Sequence, residues 1–479
     1  MTKLTLPVST FMFFVVCLVR THAEAVESDT FRIPAGQRQL LLDDHTVAQI
    51  ENLCRRMHRP RKRGAVIRSP NPGQTIQTRS APAWDPVEKL YKLWVLGIDD
   101  MLWQSKDGLH WTAGPNPNMR TDLSVFDPVE SDPARRFKAA LTNQGFAVSP
   151  DGAQWTKLDV PLIQSSDESN FSYDPDEGLF VHTVKRGGKY GRAVAIATSL
   201  DFKTWIDLGV VFQADEVDQE LCAKNITARM ADQSLLQTFH NDPAVYNMDV
   251  YNMGVFRYEG LYIGMPSMYH ATGPVPNYPN TDGFHLVQLA MSRDLRHWKR
   301  LGDRKPFIGP SRIDSGAYDL TQILPPSAPV KRGDELWFYY TGLKYRASYT
   351  YVGNFPKGEH IPKPGLDLDS GAVCLAVLRR DGFVSLDADS DGGYVLTKPL
   401  ELDGELLLLN LDAGETGSAI VELLDDSGEV LADSQPAGGD EVRLPVRWKN
   451  PVDLKSLSRS AIQLKIHLRD ASLYAFWVE

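Results

Sequence analysis

The sequence SKDGLHW at residues 105–111 returns as SPDGAQW at 149–155, SLDFKTW at 199–205 and SRDLRHW at 292–298. An alternating apolar stretch runs into such a copy, as RAVAIATS does before Leu200 and FHLVQLAMS before Arg293. Period-two alternation marks a strand, and an Asp-Gly or Asp-x turn followed by Trp marks a tight reversal into another strand. Upstream of the copies lie further strands, KLYKLWVLG, RRFKAALTN, GLFVHTVKR and GLYIGMPSMY. Each of these is preceded by a polar turn: WDPVEK from Trp84, FDPVESDP from Phe126, YDPDEG from Tyr173 and RYEG from Arg257. A unit of four antiparallel strands repeated every roughly 45 to 90 residues is a propeller blade.

A fifth unit follows when the pattern is loosened. KRGDELWFYYTG from Lys331 supplies its second strand, and GAVCLAVLRRDGFVSL from Gly371 its third strand, turn and fourth strand, with Arg380-Asp381-Gly382 replacing Ser-x-Asp. The reading is therefore all-β: a five-bladed β-propeller over residues 26–384, in which the repeated Asp caps a hairpin and the Trp packs between blades. Beyond Val384 the repeat stops. GELLLLNL, SAIVELLD, EVRLPVRW, AIQLKIHL and SLYAFWVE are short alternating strands between Gly and Asp turns, which predict a β-sandwich over residues 385–479.

With 479 residues, 42% hydrophobic and 23% charged, the chain has the composition of a soluble globular protein in more than one body. A net charge of −10 argues against a nucleic-acid partner. Residues 1–25 read as a signal peptide, with Lys3, an apolar run from Phe11 to Val19 and an Ala23-Glu24-Ala25 cleavage site. That run is too short to span a bilayer, so the expectation is a secreted or periplasmic monomer with no membrane partner. Bulky Val16 before Cys17 makes a poor lipoprotein site. Cys54, Cys222 and Cys374 allow at most one disulfide and lack the spacing of a zinc site. The basic run RRMHRPRKR, Arg55 to Arg63, reads as a solvated strand edge in preference to an anion site.

A propeller binds its ligand where the innermost strands converge. Aligned on their turns, three of these strands begin with an acid followed three residues later by an amide: Asp167-Glu168-Ser169-Asn170, Asp249-Val250-Tyr251-Asn252 and Asp319-Leu320-Thr321-Gln322. Asp122 stands at a similar place in blade two, and blade one, around Gln74 to Arg79, offers no acid. Carboxylates gathered at one end of a funnel suit glycoside hydrolysis, which needs a proton donor and a second carboxylate as base or nucleophile. The competing role for any one of them is turn capping or a structural calcium ion; no other cofactor or metal is expected. Asp167 or Asp249 is assigned the base or stabilising role beside Asp122, and the acid is left among Glu168, Glu220 and Asp319. Asn170, Asn252, Tyr251, His270 and Asp282 are candidates for contacts with sugar hydroxyls. The loop ATGPVPNYPNTDG from Ala271 is long enough to overhang the funnel.

LLLDDH from Leu40, DVYNMGVFRYEGLYIGMPSMYH from Asp249, LVQLAMSRDLRHWKR from Leu286 and the ending LTKPLELDGELLLLN to LYAFWVE resemble secreted planctomycete propeller proteins similar to family 32 and family 43 glycoside hydrolases. The resemblance implies a five-bladed propeller, a terminal sandwich like that of invertases and levanases, and a carbohydrate substrate. The family 32 signatures Trp-Met-Asn-Asp-Pro-Asn-Gly, Arg-Asp-Pro and Glu-Cys-Pro are absent, with FDP at Phe126 and ELC at Glu220 as faint echoes. Rival readings are a carbohydrate-binding propeller without catalysis, a sialidase-like enzyme, for which no arginine triad is evident, and a phosphorylase, which needs a basic phosphate pocket.

Overall fold

The computed structural model describes residues 30–479 except 72, 458 and 459. The expected signal peptide and Cys17 lie outside the described residues. Five antiparallel sheets follow one another as blades. Blade 1 is Ala83–Asp85, Leu90–Trp94, Leu102–Ser105 and Thr112–Ala113. Blade 2 is Ser124–Phe126, Phe137–Leu141, Gly145–Ser149 and Thr156–Lys157. Blade 3 is Ser169–Asp174, Leu179–Gly188, Gly191–Ser199 and Ile206–Phe212. In blade 4, Asn247–Tyr258, Leu261–Pro274, Ala290–Ser292 and Lys299–Arg300 carry a side strand, Thr281–Val287. Blade 5 is Gln322–Leu324, Glu335–Leu343 and Gly371–Arg379, with Val330–Arg332 paired on its second strand.

Its fourth strand is not the FVSL segment expected from the repeat. Arg61–Arg68, from before blade 1, pairs antiparallel with Gly371–Arg379 and closes the ring, whereas Val384–Ala388 pairs with Cys54–Met57 and Ala471–Val478 in the sandwich. Closing the last blade with an early strand joins the two ends of the ring through a hydrogen-bonded ladder and leaves no open seam. The same pairing moves the first described residues out of the propeller span of 26–384. Phe31–Ile33, Gln39–Leu40, Val47–Glu51 and Cys54–Met57 all pair with strands that follow blade 5. Asp43 and Asp44 accordingly make ion pairs beside the sandwich strands, with Arg293 and Arg55, and the basic run divides between one sandwich strand and the closing strand.

The repeated motif acts as a clamp between blades. In all four copies the Asp side chain accepts the backbone N–H groups two and three residues later at 2.7–2.9 Å. The turn then delivers the Trp onto the preceding blade. Trp155 meets Trp94 of blade 1, Trp205 stacks on Phe146 of blade 2 at 4.4 Å, Trp298 meets Phe212 of blade 3, and Trp111 of blade 1 meets Tyr339 of blade 5. In blade 5 Phe383 serves instead, 5.4 Å from Tyr258 of blade 4. Nearer the axis, hydroxyls tie neighbours together: Ser80 donates to the Asp122 carbonyl, Ser267 to that of Ile323 and Thr341 to that of Thr78.

The second body packs two sheets face to face. One contains Asp440–Pro445, Leu407–Asp412, Ala471–Val478, Val384–Ala388 and Cys54–Met57; the other contains Val47–Glu51, Gly393–Thr397, Gln463–Arg469, Ser418–Leu424 and Val430–Asp433. Leu464, Ile466 and Leu468 alternate with outward-facing polar residues, as a half-buried strand requires. The three described cysteines are free, with Cys54 exposed.

Two outcomes test this frame. The N–H groups of Thr204 and Lys203 pull the Asp201 carboxyl down to about 2 from its ordinary 3.8. The folded state therefore binds that proton less tightly than the unfolded one, so the stabilisation is full above pH 3.8 and drains away as pH falls toward about 2. Asp201→Ala is expected to cost about 1 kcal/mol at neutral pH, by analogy with a lost N-cap. In urea melts its deficit against wild type should shrink as pH falls through about 2, where wild type is losing the same charge; a constant deficit would refute the turn-capping role. Second, Asp319→Asn, which unpairs Lys62 of the closing strand, is expected to cost about 3 kcal/mol in urea unfolding.

Candidate functional site

Two contiguous cavities open at one mouth of the ring and share Asp167. The smaller, about 270 Å³, is lined by Arg79, Arg120, Asp122, Asp167 and Glu168 among others. The larger, about 560 Å³, is lined by Asp167, Lys185, Arg192, Asp249, Tyr251, Tyr278, Arg346 and Tyr349 among others. The acids expected to converge from blades 2, 3 and 4, Asp122, Asp167, Glu168 and Asp249, thus meet in one cleft. The loop after Ala271 reaches it through Val275, Tyr278 and Asn280.

Each carboxylate is held by a cation. Arg79, at the blade 1 position where the acid is missing, forms a two-pronged pair with Glu168, Nε to Oε2 at 2.7 Å and Nη2 to Oε1 at 2.8 Å. The Arg79 fork is positioned by the Thr78 carbonyl and the Gln77 side chain. Burial pushes the Glu168 carboxyl up, but the charges of Arg79 and Lys185 outweigh it, and its pKa lies below the ordinary value. Lys185 pairs with Asp167, whose side chain is 64% exposed. Arg192 donates from Nε to Asp249 Oδ2 at 2.8 Å and from its backbone N–H at 3.2 Å. Gly191 makes this approach feasible: its φ is +119°, and a Cβ there would fall 2.7 Å from the same Oδ2. The other Asp249 oxygen is buried without a partner. Asp122 accepts from Arg120 at 3.2 Å.

Tyr251 sits where the pairing of Asn247–Tyr258 with Leu261–Pro274 slips between Val250 and Asn252. This bulge lets Tyr251 and Asp249 serve the cleft while Asn252 turns inward. Asn252 and Asn170 are buried and line neither cavity. Asn252 donates to Glu168 Oε2 at 3.5 Å and to the Ser169 carbonyl, and Asn170 donates to Asn252, so both steady the floor and neither meets a sugar hydroxyl directly.

Four other candidates lie away from the cleft. Glu220 is exposed on the helix Glu216–Ala231, inserted between blades 3 and 4. Asp319 is buried against Lys62 at 2.6 Å and accepts from Tyr340, a structural pair that anchors the closing strand. His270 is fully buried, stacked on Phe284, bonded to Met268 and Asn225, and held neutral with a pKa pushed down to about 3 by desolvation. Asp282 is spent on the backbone N–H groups of Phe239, His240 and Gly283. Asp319, His270 and Asp282 lie near inner strands as expected, but their side chains are buried in the layers between strands, whereas Glu220 faces solvent from its helix.

What the sequence reading missed is basic and aromatic. Arg79, Lys185, Arg192 and Arg346 come from three blades, the middle two from blade 3, without a common motif. A hairpin inserted in blade 5, Tyr349–Val352 and Glu359–Pro362, packs around Tyr278, whose ring lies 5.4 Å from Tyr349, 5.4 Å from Tyr351, 5.6 Å from Phe355 and 5.3 Å from His360. The surplus of Tyr in KYRASYTYVG was the available signal. Among the described residues, no group of three or more His, Cys, Asp or Glu side chains is arranged to hold a metal ion.

No protein-family model and no curated protein matches the chain. Among solved structures, it is similar to an N-acetylgalactosamine deacetylase from F. plautii in complex with blood group B trisaccharide, at 13% identity, 70% of this chain, 96% of that one and a TM-score of 0.36. It is also similar to a family 32 β-fructofuranosidase from Bombyx mori, at 11% identity, 88% and 94% coverage and a TM-score of 0.31. A β-fructofuranosidase from Schwanniomyces occidentalis complexed with fructosyl-erythritol gives 12% identity, 87% and 97% coverage and a TM-score of 0.34. At such identities and TM-scores the likenesses do not bear on activity, and the fold stands on the strand pairing above.

The Arg79 pair is open to direct test. In Arg79→Met the desolvation of Glu168 is no longer outweighed, so its pKa is expected to rise above the ordinary 4.5, read by carbon-13 NMR of the carboxyl. The same variant leaves a buried charge uncompensated and should lose about 3 kcal/mol of stability at neutral pH. An unmoved Glu168 titration would show that Arg79 does not control it.

Proposed function

We propose that the chain is an exported glycoside hydrolase of the propeller type, akin to families 32 and 43, that acts as a monomer without a cofactor on fragments of polysaccharide. The observation that carries this reading is the meeting of Asp122, Asp167, Glu168 and Asp249 in one cleft, beside an aromatic rim. Glu168, kept ionised by Arg79, suits the carboxylate that stabilises an oxocarbenium-like transition state or attacks it. Asp122 lines the same small cavity, and its partner Arg120 is 65% exposed, a pairing that high dielectric leaves weak. Asp122 is therefore assigned as proton donor. Asp249 stands in the wall of the larger cavity, and the rings of Tyr278 and Tyr349 offer an apolar face with polar tips at the rim.

A second reading, a carbohydrate-binding propeller without catalysis, is favoured by one observation: each acid in the cleft has a cation partner, and the Glu168 pKa is shifted down, away from that of a general acid. A panel of aryl glycosides and polysaccharide-derived oligosaccharides, assayed for released reducing ends, separates the two. On a hydrolysed substrate, Glu168→Gln and Asp122→Asn are expected to lower kcat about a hundredfold or more, whereas the turn variant Asp151→Asn keeps it. Full turnover in both cleft variants would refute the assignment. Oligosaccharide binding with no bond cleaved anywhere in the panel would establish the second reading.

A further inference from the structure

Three cations crowd one ring. Around Tyr251 stand Lys185 at 3.9 Å, Arg192 at 5.1 Å and Arg346 at 5.6 Å from the centroid, and both arginines also lie over Tyr269, at 4.5 and 5.1 Å. Lys185 and Arg192 are neutralised by Asp167 and Asp249. Arg346 makes no ion pair with any carboxylate among the described residues; the neighbouring Tyr251 and Tyr269 are the groups that most offset the burial working against its charge. The cleft holds five cations, Arg79, Arg120, Lys185, Arg192 and Arg346, against the four carboxylates Asp122, Asp167, Glu168 and Asp249. This local positive excess occurs in a chain whose net charge is −10. Directly behind the two tyrosines, His285 is buried, neutral, and without a partner on either ring nitrogen.

A guanidinium half removed from water and held flat against aromatic rings is preorganised for a planar or tetrahedral oxyanion, which it can grip with two parallel N–H groups. Packing gives no reason for the third cation, because the cleft acids are already matched without it. Resting on the carbohydrate reading above, we infer that the larger cavity takes a sugar carrying an anionic substituent, a carboxylate or a sulfate ester, docked on Arg346 with Arg192 and Lys185 beside it. Tyr278 and Tyr349, on the rim of the same cavity, would face the ring that bears the charge.

Isothermal titration of the full mature protein with trigalacturonate, a sulfated neocarrageenan oligosaccharide and uncharged galactotriose tests this. At least one anionic probe is expected to bind about tenfold or more tighter than galactotriose, and to weaken as salt is raised past about 0.1 M. Which anionic probe binds identifies the carboxylate or the sulfate as the recognised group. Arg346→Met, which keeps the chain length over the tyrosines, should weaken that probe about ten- to hundredfold, with Arg346→Lys restoring part of the loss. Galactotriose binding as tightly as both anions, anionic affinity indifferent to Arg346→Met in a folded variant, or no binding of either anion overturns the inference. The glycosidase reading is decided separately, by the hydrolysis panel.

Discussion

Burial of charge, and the cation that makes it tolerable, is the constraint on which this molecule is organised. Asp381 has no exposed surface, yet it accepts from Arg38, from the Tyr258 hydroxyl at 2.7 Å and from Asn410 at 2.8 Å, while Arg38 lies 3.8 Å over Trp477. These partners come from the first described strands, blade 4 and the sandwich. Asp381 is also the point where the chain leaves the ring. An unpaired carboxylate there would cost several kcal/mol, so the pair fixes how the sandwich and blade 4 meet. The same solution recurs at Lys92 with Asp85, Lys138 with Asp127, and Arg300 and Arg304 with Asp218.

Ring closure depends on a further pair of this kind, Lys62 with Asp319. The strand Arg61–Arg68 supplies Lys62 to Asp319, to the Gly309 carbonyl at 2.6 Å and to Ser311 at 2.9 Å. Main-chain pairing with Gly371–Arg379 is tolerant of register, and a one-residue slip would exchange the faces. The buried Asp319 charge is satisfied in a single register. An acid that looks catalytic in sequence thus sets the geometry in which other acids face the funnel.

The propeller was legible because its signals are local. Ser-x-Asp, its backbone acceptors and the Trp all fall within seven residues, and alternation reports the strands directly. The convergence of Asp122, Asp167 and Asp249 was legible for the same reason, since equivalent positions in repeated units must face a common axis. The strand that completes blade 5 was not, because its partner lies some three hundred residues away and neither segment carries the repeat. Asp319 and Asn252 show the other limit. The acid-x-x-amide pattern sets which strand end a residue occupies, but whether its side chain enters the cavity or the layer behind it turns on bulges such as that at Tyr251. Arg79 was passed over because it interrupts the acidic pattern, and the interruption is what pairs it with Glu168.

The cleft follows the rule of the core at a different stake. In the core, pairing an acid with a base removes both from chemistry. At the mouth, the pair is within reach of a ligand that can compete for either partner, so pairing holds a charge in readiness. Glu168 is ionised because Arg79 offsets its desolvation, and Arg192 holds Asp249 in place in the cavity wall. Arg346 is where the rule is left incomplete. Aromatic faces and phenolic oxygens can orient a guanidinium but cannot neutralise it. The missing anion is therefore one that the described residues do not supply, and the position of Arg346 on the wall shared with Tyr251 and Tyr349 sets where that anion would lie relative to the acids of the cleft.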